Sequence, residues 1–228
     1  LGFIGAHEWH KKGIDIPQLD GKIHVPFGVF SPLRGEYLDL IAQAPLAPNI
    51  QTAFDIGTGS GVIAAILAKR GIPNIIATDT NPKAIACATV NLKRLGLDKA
   101  VSIQSIDLFP ETCADLIVCN PPWLPAKPTS AIETALYDPN NAMLTAFLNG
   151  VRKHLNPNGE AWLIISDLAE HLHLRDKDFL NQSFQTASLN VVDILKTKPQ
   201  HKKAIDESDP LAFARNKETT YLYRLKTI

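Results

Sequence analysis

The chain has 228 residues, 45% of them hydrophobic and 20% charged, and its formal net charge is zero. That length can bury the core of a single domain, and the composition is ordinary for a globular protein. Balanced charge excludes a protein that holds nucleic acid or an anionic membrane through its overall field, and no apolar run reaches membrane-spanning length.

In chain order, Gly2, Gly5, Gly13, Pro17, Gly21, Pro26 and Gly28 interrupt every periodic pattern at the start. Residues 1–30 are therefore expected to form an arm of loops and short strands, such as Lys22 to Val25, able to act as a substrate lid. His7 and His10 read as exposed side chains of that arm, and no metal site is expected. Residues 31–228 read as one domain. It begins with a helix over Arg34 to Ala44, whose Tyr37, Leu38, Ile41 and Ala42 follow helical spacing and which Pro45 and Pro48 end.

Strands and helices then alternate. Strands are predicted at Thr52–Ile56, Asn74–Asp79, Ala100–Ile106 and Asp115–Cys119. Helices are predicted at Gly61–Arg70 and from Pro82, a favoured first-turn residue, to Leu95, with Gly96 as the stop. A helix over Asn140–His154, a turn at Asn158-Gly159 and a strand over Ala161–Ser166 come next. Leu168–Leu180 should be helical, and Thr186–Thr197 and Thr219–Leu225 should be strands. The alternation implies a Rossmann-like α/β fold, a doubly wound and mostly parallel sheet ending in an antiparallel hairpin on its edge. Cys87, Cys113 and Cys119 form no C-x-x-C pair and read as reduced core residues of a cytoplasmic protein.

Two stretches carry chemistry. The first is Phe54-Asp55-Ile56-Gly57-Thr58-Gly59-Ser60-Gly61, placed where a strand turns into a helix. Gly57 and Gly59 can take backbone angles closed to other residues and let a ligand approach the main chain. The unpaired N–H groups of the next helix face the same turn. Asp79 follows about twenty residues later at the end of the second strand, where an acid commonly binds the ribose hydroxyls of an adenosine cofactor.

The second is Asn120-Pro121-Pro122-Trp123, directly after the fourth strand. Two prolines fix the backbone and remove two N–H groups, so the local polar groups are mostly acceptors. The Asn120 side-chain carbonyl and the Pro121 main-chain carbonyl suit the two hydrogens of an NH2 group, with Trp123 stacking on its planar carrier. The nitrogen lone pair then faces whatever electrophile the glycine turn holds. Two aimed carbonyls stabilise positive charge as that nitrogen is alkylated.

Asp55-Ile56-Gly57-Thr58-Gly59, Asp79, Asp107-Leu108 and Asn120-Pro121-Pro122-Trp123, in that order, resemble the motifs of class I S-adenosylmethionine-dependent amino methyltransferases. The wording is most similar to the N5-glutamine methyltransferases that act on release factors. The resemblance covers residues 28 to 228, with Trp123 where that family usually has tyrosine. It implies S-adenosylmethionine as cofactor, with Asp55, Gly57, Thr58 and Gly59 at its amino-acid end. Asp79 would hold the ribose, with Thr80 and Asn81 nearby, and Asp107 and Leu108 the adenine. Asn120 would stand at the boundary of cofactor and acceptor, with Pro121 and Trp123 completing the catalytic set. Phe30, Pro32, Arg34 and Pro122 would close over substrate. A protein glutamine is the first acceptor implied. Gly28-Val29-Phe30-Ser31 is also similar to the leading segment of ribosomal-RNA guanine methyltransferases, which keeps adenine or guanine of RNA or DNA open.

A nicotinamide-dependent oxidoreductase would want glycine where Val62 stands, and a P-loop enzyme would need a Gly-Lys-Ser/Thr run that is absent. A catalytically silent binding module would not need both the acids and the Asn-Pro-Pro stretch.

Overall fold

The computed structural model describes residues 11–32, 35–125, 137–199, 214 and 216–228. His7, His10 and Arg34 lie outside the described residues. A small antiparallel hairpin opens the fold: β1 (Ile14–Ile16) and β2 (Gly21–Ile23), joined by a 3-10 turn over Pro17–Leu19. Helix α1 (Glu36–Gln43) leads into the alternating part: β3 (Thr52–Ile56), α2 (Val62–Lys69), β4 (Asn74–Asp79), α3 (Pro82–Arg94), β5 (Val101–Ser105) and β6 (Ala114–Cys119). Then come α4 (Ala142–Val151), β7 (Leu155–Ser166), α5 (Leu168–His171), α6 (Phe179–Thr186), β8 (Leu189–Thr197) and β9 (Thr220–Thr227).

The main sheet has seven strands in the order β5-β4-β3-β6-β7-β9-β8. The first five are parallel, and β9 runs antiparallel to both β7 and β8. The final hairpin is therefore at the sheet edge, as expected, but its last strand is inserted inward and leaves β8 outermost. Alternate residues of each central strand feed two cores, one on each face. Leu116, Val118, Trp162 and Ile164 face the core under α1 and α2, while Ile117, Cys119, Leu163 and Ile165 face the core under α4 and α6.

Four expectations are corrected. The predicted arm is, from Ile14 onward, packed structure: Ile16, Leu19, Ile23 and Val25 are buried in the first core. The helix over Leu168–Leu180 breaks after one turn, with His173 in a left-handed conformation (φ 56°). The break swings Arg175 inward to bind Glu170 at 2.9 Å and the Ser166 carbonyl at 2.9 Å, an arrangement a straight amphipathic helix would not permit. Asn158-Gly159 forms an irregularity inside β7, where the register with β6 shifts, and not a turn before it. Finally, Cys113 is exposed, while Cys87 and Cys119 are buried and all three thiols are free.

Candidate active site

Strands β4 and β6 flank β3, with Ile56 level with Thr78 on one side and Cys119 on the other. Gly57, Asp79 and Asn120 therefore emerge along one edge of the sheet, the place where open α/β sheets bind ligands.

The turn after β3 takes left-handed backbone at Gly57 (φ 72°), Gly59 (φ 55°) and Gly61 (φ 82°). A side chain on Gly57 would meet the Met143 methyl at 2.8 Å, and one on Gly61 would meet Ala88 at 3.0 Å, whereas Gly59 faces open space. The turn is held by the Thr58 N–H donating to the Thr78 carbonyl (2.8 Å) and the Gly61 N–H to the Thr58 carbonyl (2.9 Å). Asp55 lies beneath it, fully buried. Its Oδ2 accepts from the Thr58 hydroxyl (2.7 Å) and the Ala64 N–H (3.0 Å), while Oδ1 has no hydrogen-bond partner among the described residues. Burial pushes this carboxyl up to about 6, and the nearby Asp79 adds to the rise, against the downward pull of Thr58 and Ala64. A buried, half-satisfied carboxylate of this kind suits a cation.

Asp79 braces the same turn. Its Oδ2 accepts the Gly59 N–H (2.9 Å) and its Oδ1 the Asn81 N–H (2.8 Å). Each oxygen keeps a further lone pair for a hydroxyl. Thr80 is exposed beside it. Asn81 spends its amide on structure: its oxygen caps α3 through the Lys83 N–H (3.0 Å) and its nitrogen donates to the Gly28 carbonyl (3.3 Å). Asp107 is exposed after β5. Leu108 holds a left-handed φ of 54°, and its carbonyl takes the Thr78 hydroxyl at 2.7 Å. Strained backbone at such a position is often part of a site.

Asn120 follows β6, and its Oδ1 already accepts a hydrogen bond from the Trp123 indole N–H at 2.9 Å. The indole packs edge to face against Tyr37 of α1, with ring centroids 6.4 Å apart at 85°. Pro121 is buried and Pro122 half-buried. Beyond them, Leu124 and Tyr137 pair, and the Asp138 N–H donates to the Leu124 carbonyl (2.8 Å).

Residues 22–193 match the family model described as the methyltransferase small domain. The chain belongs to this family. A release factor glutamine methyltransferase of Cereibacter sphaeroides is 35% identical over 140 residues, 55% of this chain and 50% of that protein. A tRNA1(Val) (adenine(37)-N6)-methyltransferase of Cytophaga hutchinsonii is 33% identical over 134 residues, 55% of this chain and 56% of that protein. The chain thus spans about half the length of these relatives. Among solved structures, a SAM-dependent methyltransferase from Thiobacillus denitrificans in complex with S-adenosyl-L-homocysteine shares the fold. Its TM-score is 0.57 at 14% identity, covering 100% of this chain and 99% of that one.

The methyltransferase small domain residues fit S-adenosylmethionine, the methyl donor of such enzymes. The unpartnered Asp55 oxygen suits the donor's ammonium, and the open side of Gly59 leaves the main chain accessible. Among the described residues no group of three or more side chains could hold a metal ion, and no helix is long and apolar enough to cross a membrane.

Phe30 is half-buried and packs on the first core, and Pro32 is buried. Three residues that brace these motifs are not singled out by the sequence. Tyr37 reads there as an ordinary helix-core residue. Asp138 caps α4 through the Met143 N–H (2.8 Å) and Leu144 N–H (3.0 Å), which seats Met143 against Gly57; an Asp-Pro pair before an apolar helix was its signal. Asn91, fully buried, bonds the His24 N–H (2.9 Å), the His24 carbonyl (3.0 Å) and the Ser60 carbonyl (3.0 Å), tying the N-terminal segment to the glycine turn. Nothing in a helix-interior asparagine announces that.

Proposed function

We propose that this chain transfers a methyl group from S-adenosylmethionine to the NH2 nitrogen of a planar acceptor, a glutamine side-chain amide of a protein. The observation that carries this reading is the position of Asn120, an acceptor after two N–H-free prolines, on the same sheet edge as the glycine turn and Asp79. The bound donor supplies an electrophilic methyl carbon on a sulfonium.

The chain's part is alignment and electrostatics. Asp55 and the glycine turn hold the amino-acid end, Asp79 the ribose, and Asp107 with Leu108 the adenine. Asn120 and the Pro121 carbonyl would take the two N–H groups of the acceptor and leave its lone pair facing the donor. Phe30, Pro32 and Pro122 would close over the substrate. Methyl transfer would leave the acceptor nitrogen positively charged, and Asn120 with the Pro121 carbonyl would stabilise that charge until the nitrogen loses a proton to solvent. No general base is required. Interactions that strengthen as charge builds on nitrogen are the ones that speed the step.

Neutral net charge and the likeness to a glutamine methyltransferase support a protein acceptor. The likeness to a tRNA adenine methyltransferase supports the second reading, N-methylation of an RNA base. The three free thiols support a reducing compartment, the cytoplasm. Incubating a cell lysate with radiolabelled donor tests the substrate: label in protease-sensitive material is expected, label in nuclease-sensitive material moves the assignment to RNA, and no label in either refutes transfer.

A further inference from the structure

We propose that Trp123 is a positioning residue: its indole N–H clamps the Asn120 carbonyl in the orientation that receives the acceptor, and Tyr37 holds the indole from behind. The proposal rests on the reading of Asn120 as the acceptor-binding residue. It replaces the simpler view of Trp123 as a stacking face.

The donor is the first point. An indole nitrogen only donates, so the 2.9 Å contact must be made to the amide oxygen and not to its NH2 group. That settles which way the Asn120 amide faces. Pro121 and Pro122, between the two partners, have no N–H with which to compete for the oxygen. A carbonyl oxygen has two lone pairs, so one stays with the indole and the other is left for an incoming N–H.

The second point is rigidity. Trp123 packs against both hydrophobic cores, and Tyr37, only 2% exposed, meets it edge to face. The ring is fixed by the protein before any substrate arrives. A clamp of this kind removes a freely turning amide from the transition state, where small misalignment is costly. Phenylalanine keeps the ring face but has no donor, and the tyrosine hydroxyl lies at the far end of its ring. Neither replaces the indole N–H, so the tolerance to Trp123→Phe or Trp123→Tyr that a pure stacking role implies is not expected.

Two measurements test this. In a 15N–1H correlation spectrum the Trp123 indole resonance is assigned by its loss in Trp123→Phe. It should be protected from solvent exchange in the wild type, lose protection in Asn120→Ala, and keep it in Asn120→Asp, which retains an acceptor oxygen. An indole signal indifferent to both Asn120 substitutions would overturn the clamp. Single-turnover transfer of labelled donor to lysate acceptor is the second measurement. Trp123→Phe should slow transfer roughly tenfold to a hundredfold with donor affinity and the half-saturating lysate concentration unchanged. It should add nothing in an Asn120→Ala background. Equal slowing in both backgrounds would mean that the indole acts on the acceptor directly, against the proposal. If the wild type itself transfers no label, the proposed function fails, while the spectrum still decides the clamp.

Discussion

If Asp55 faces the donor's ammonium, the binding of S-adenosylmethionine should depend on pH in a calculable way. Its carboxyl sits at about 6 in the folded protein against an ordinary 3.8, chiefly because it is fully buried. Being raised, it binds its proton more tightly in the folded chain than in the unfolded one. Stability from this group is therefore greatest below pH 3.8, falls as pH rises to 6, and is level above. The gap of 6 − 3.8 corresponds to about 3 kcal/mol of cost for the ionised form at neutral pH. A cation against the unpartnered Oδ1 would offset that cost by favouring the carboxylate. Donor binding should then release about half a proton at pH 6, and affinity should fall about tenfold from pH 7 to pH 5. Titration calorimetry at pH 6 in two buffers of different ionisation enthalpy measures the proton directly. Affinity constant between pH 5 and pH 7, with identical heats in both buffers, would refute the idea that Asp55 faces the donor's ammonium.

Asp79→Ala should weaken donor binding by about 1.5–3 kcal/mol by calorimetry, the scale of hydrogen bonds to a charged group. Because Asp79 also accepts the Gly59 and Asn81 N–H groups, the variant should melt at a lower temperature as well; unchanged affinity would remove it from the site. Asn120→Ala should slow single-turnover methyl transfer roughly a hundredfold to a thousandfold with little change in donor affinity. Transfer at the wild-type rate would mean the acceptor is not an NH2 group. Ile23→Ala in the N-terminal hairpin should cost about 2–5 kcal/mol in urea denaturation, since Ile23 is fully buried; a loss near zero would return this segment to the status of a detachable arm.

What the sequence alone determined are the features whose physics is local. Gly57 and Gly59 signal a left-handed turn because few other residues adopt it, and Pro82 and Gly96 mark the ends of α3 for the same backbone reasons. The apolar runs of β3, β4 and β6 need no partner to be recognised as buried strands, so the sheet edge carrying Asp79 and Asn120 was legible too. The tertiary structure decided whatever depends on residues distant in the chain. The insertion of β9 between β7 and β8 is set by packing across the whole edge and not by any pattern inside β9. Asn91 reaches His24 across 67 positions, and Arg175 finds its buried partners only because the helix before it stops. The unpartnered oxygen of Asp55 arises because Thr58 and Ala64 both bond its twin. Trp123 shows the same division within four residues. Its place after two prolines is written in the chain, but that its N–H turns back to Asn120 depends on Tyr37 of α1 and on two cores closing around the ring. Periodicity and turn chemistry act over a few residues, whereas the direction of a side-chain dipole is fixed by every element packed against it.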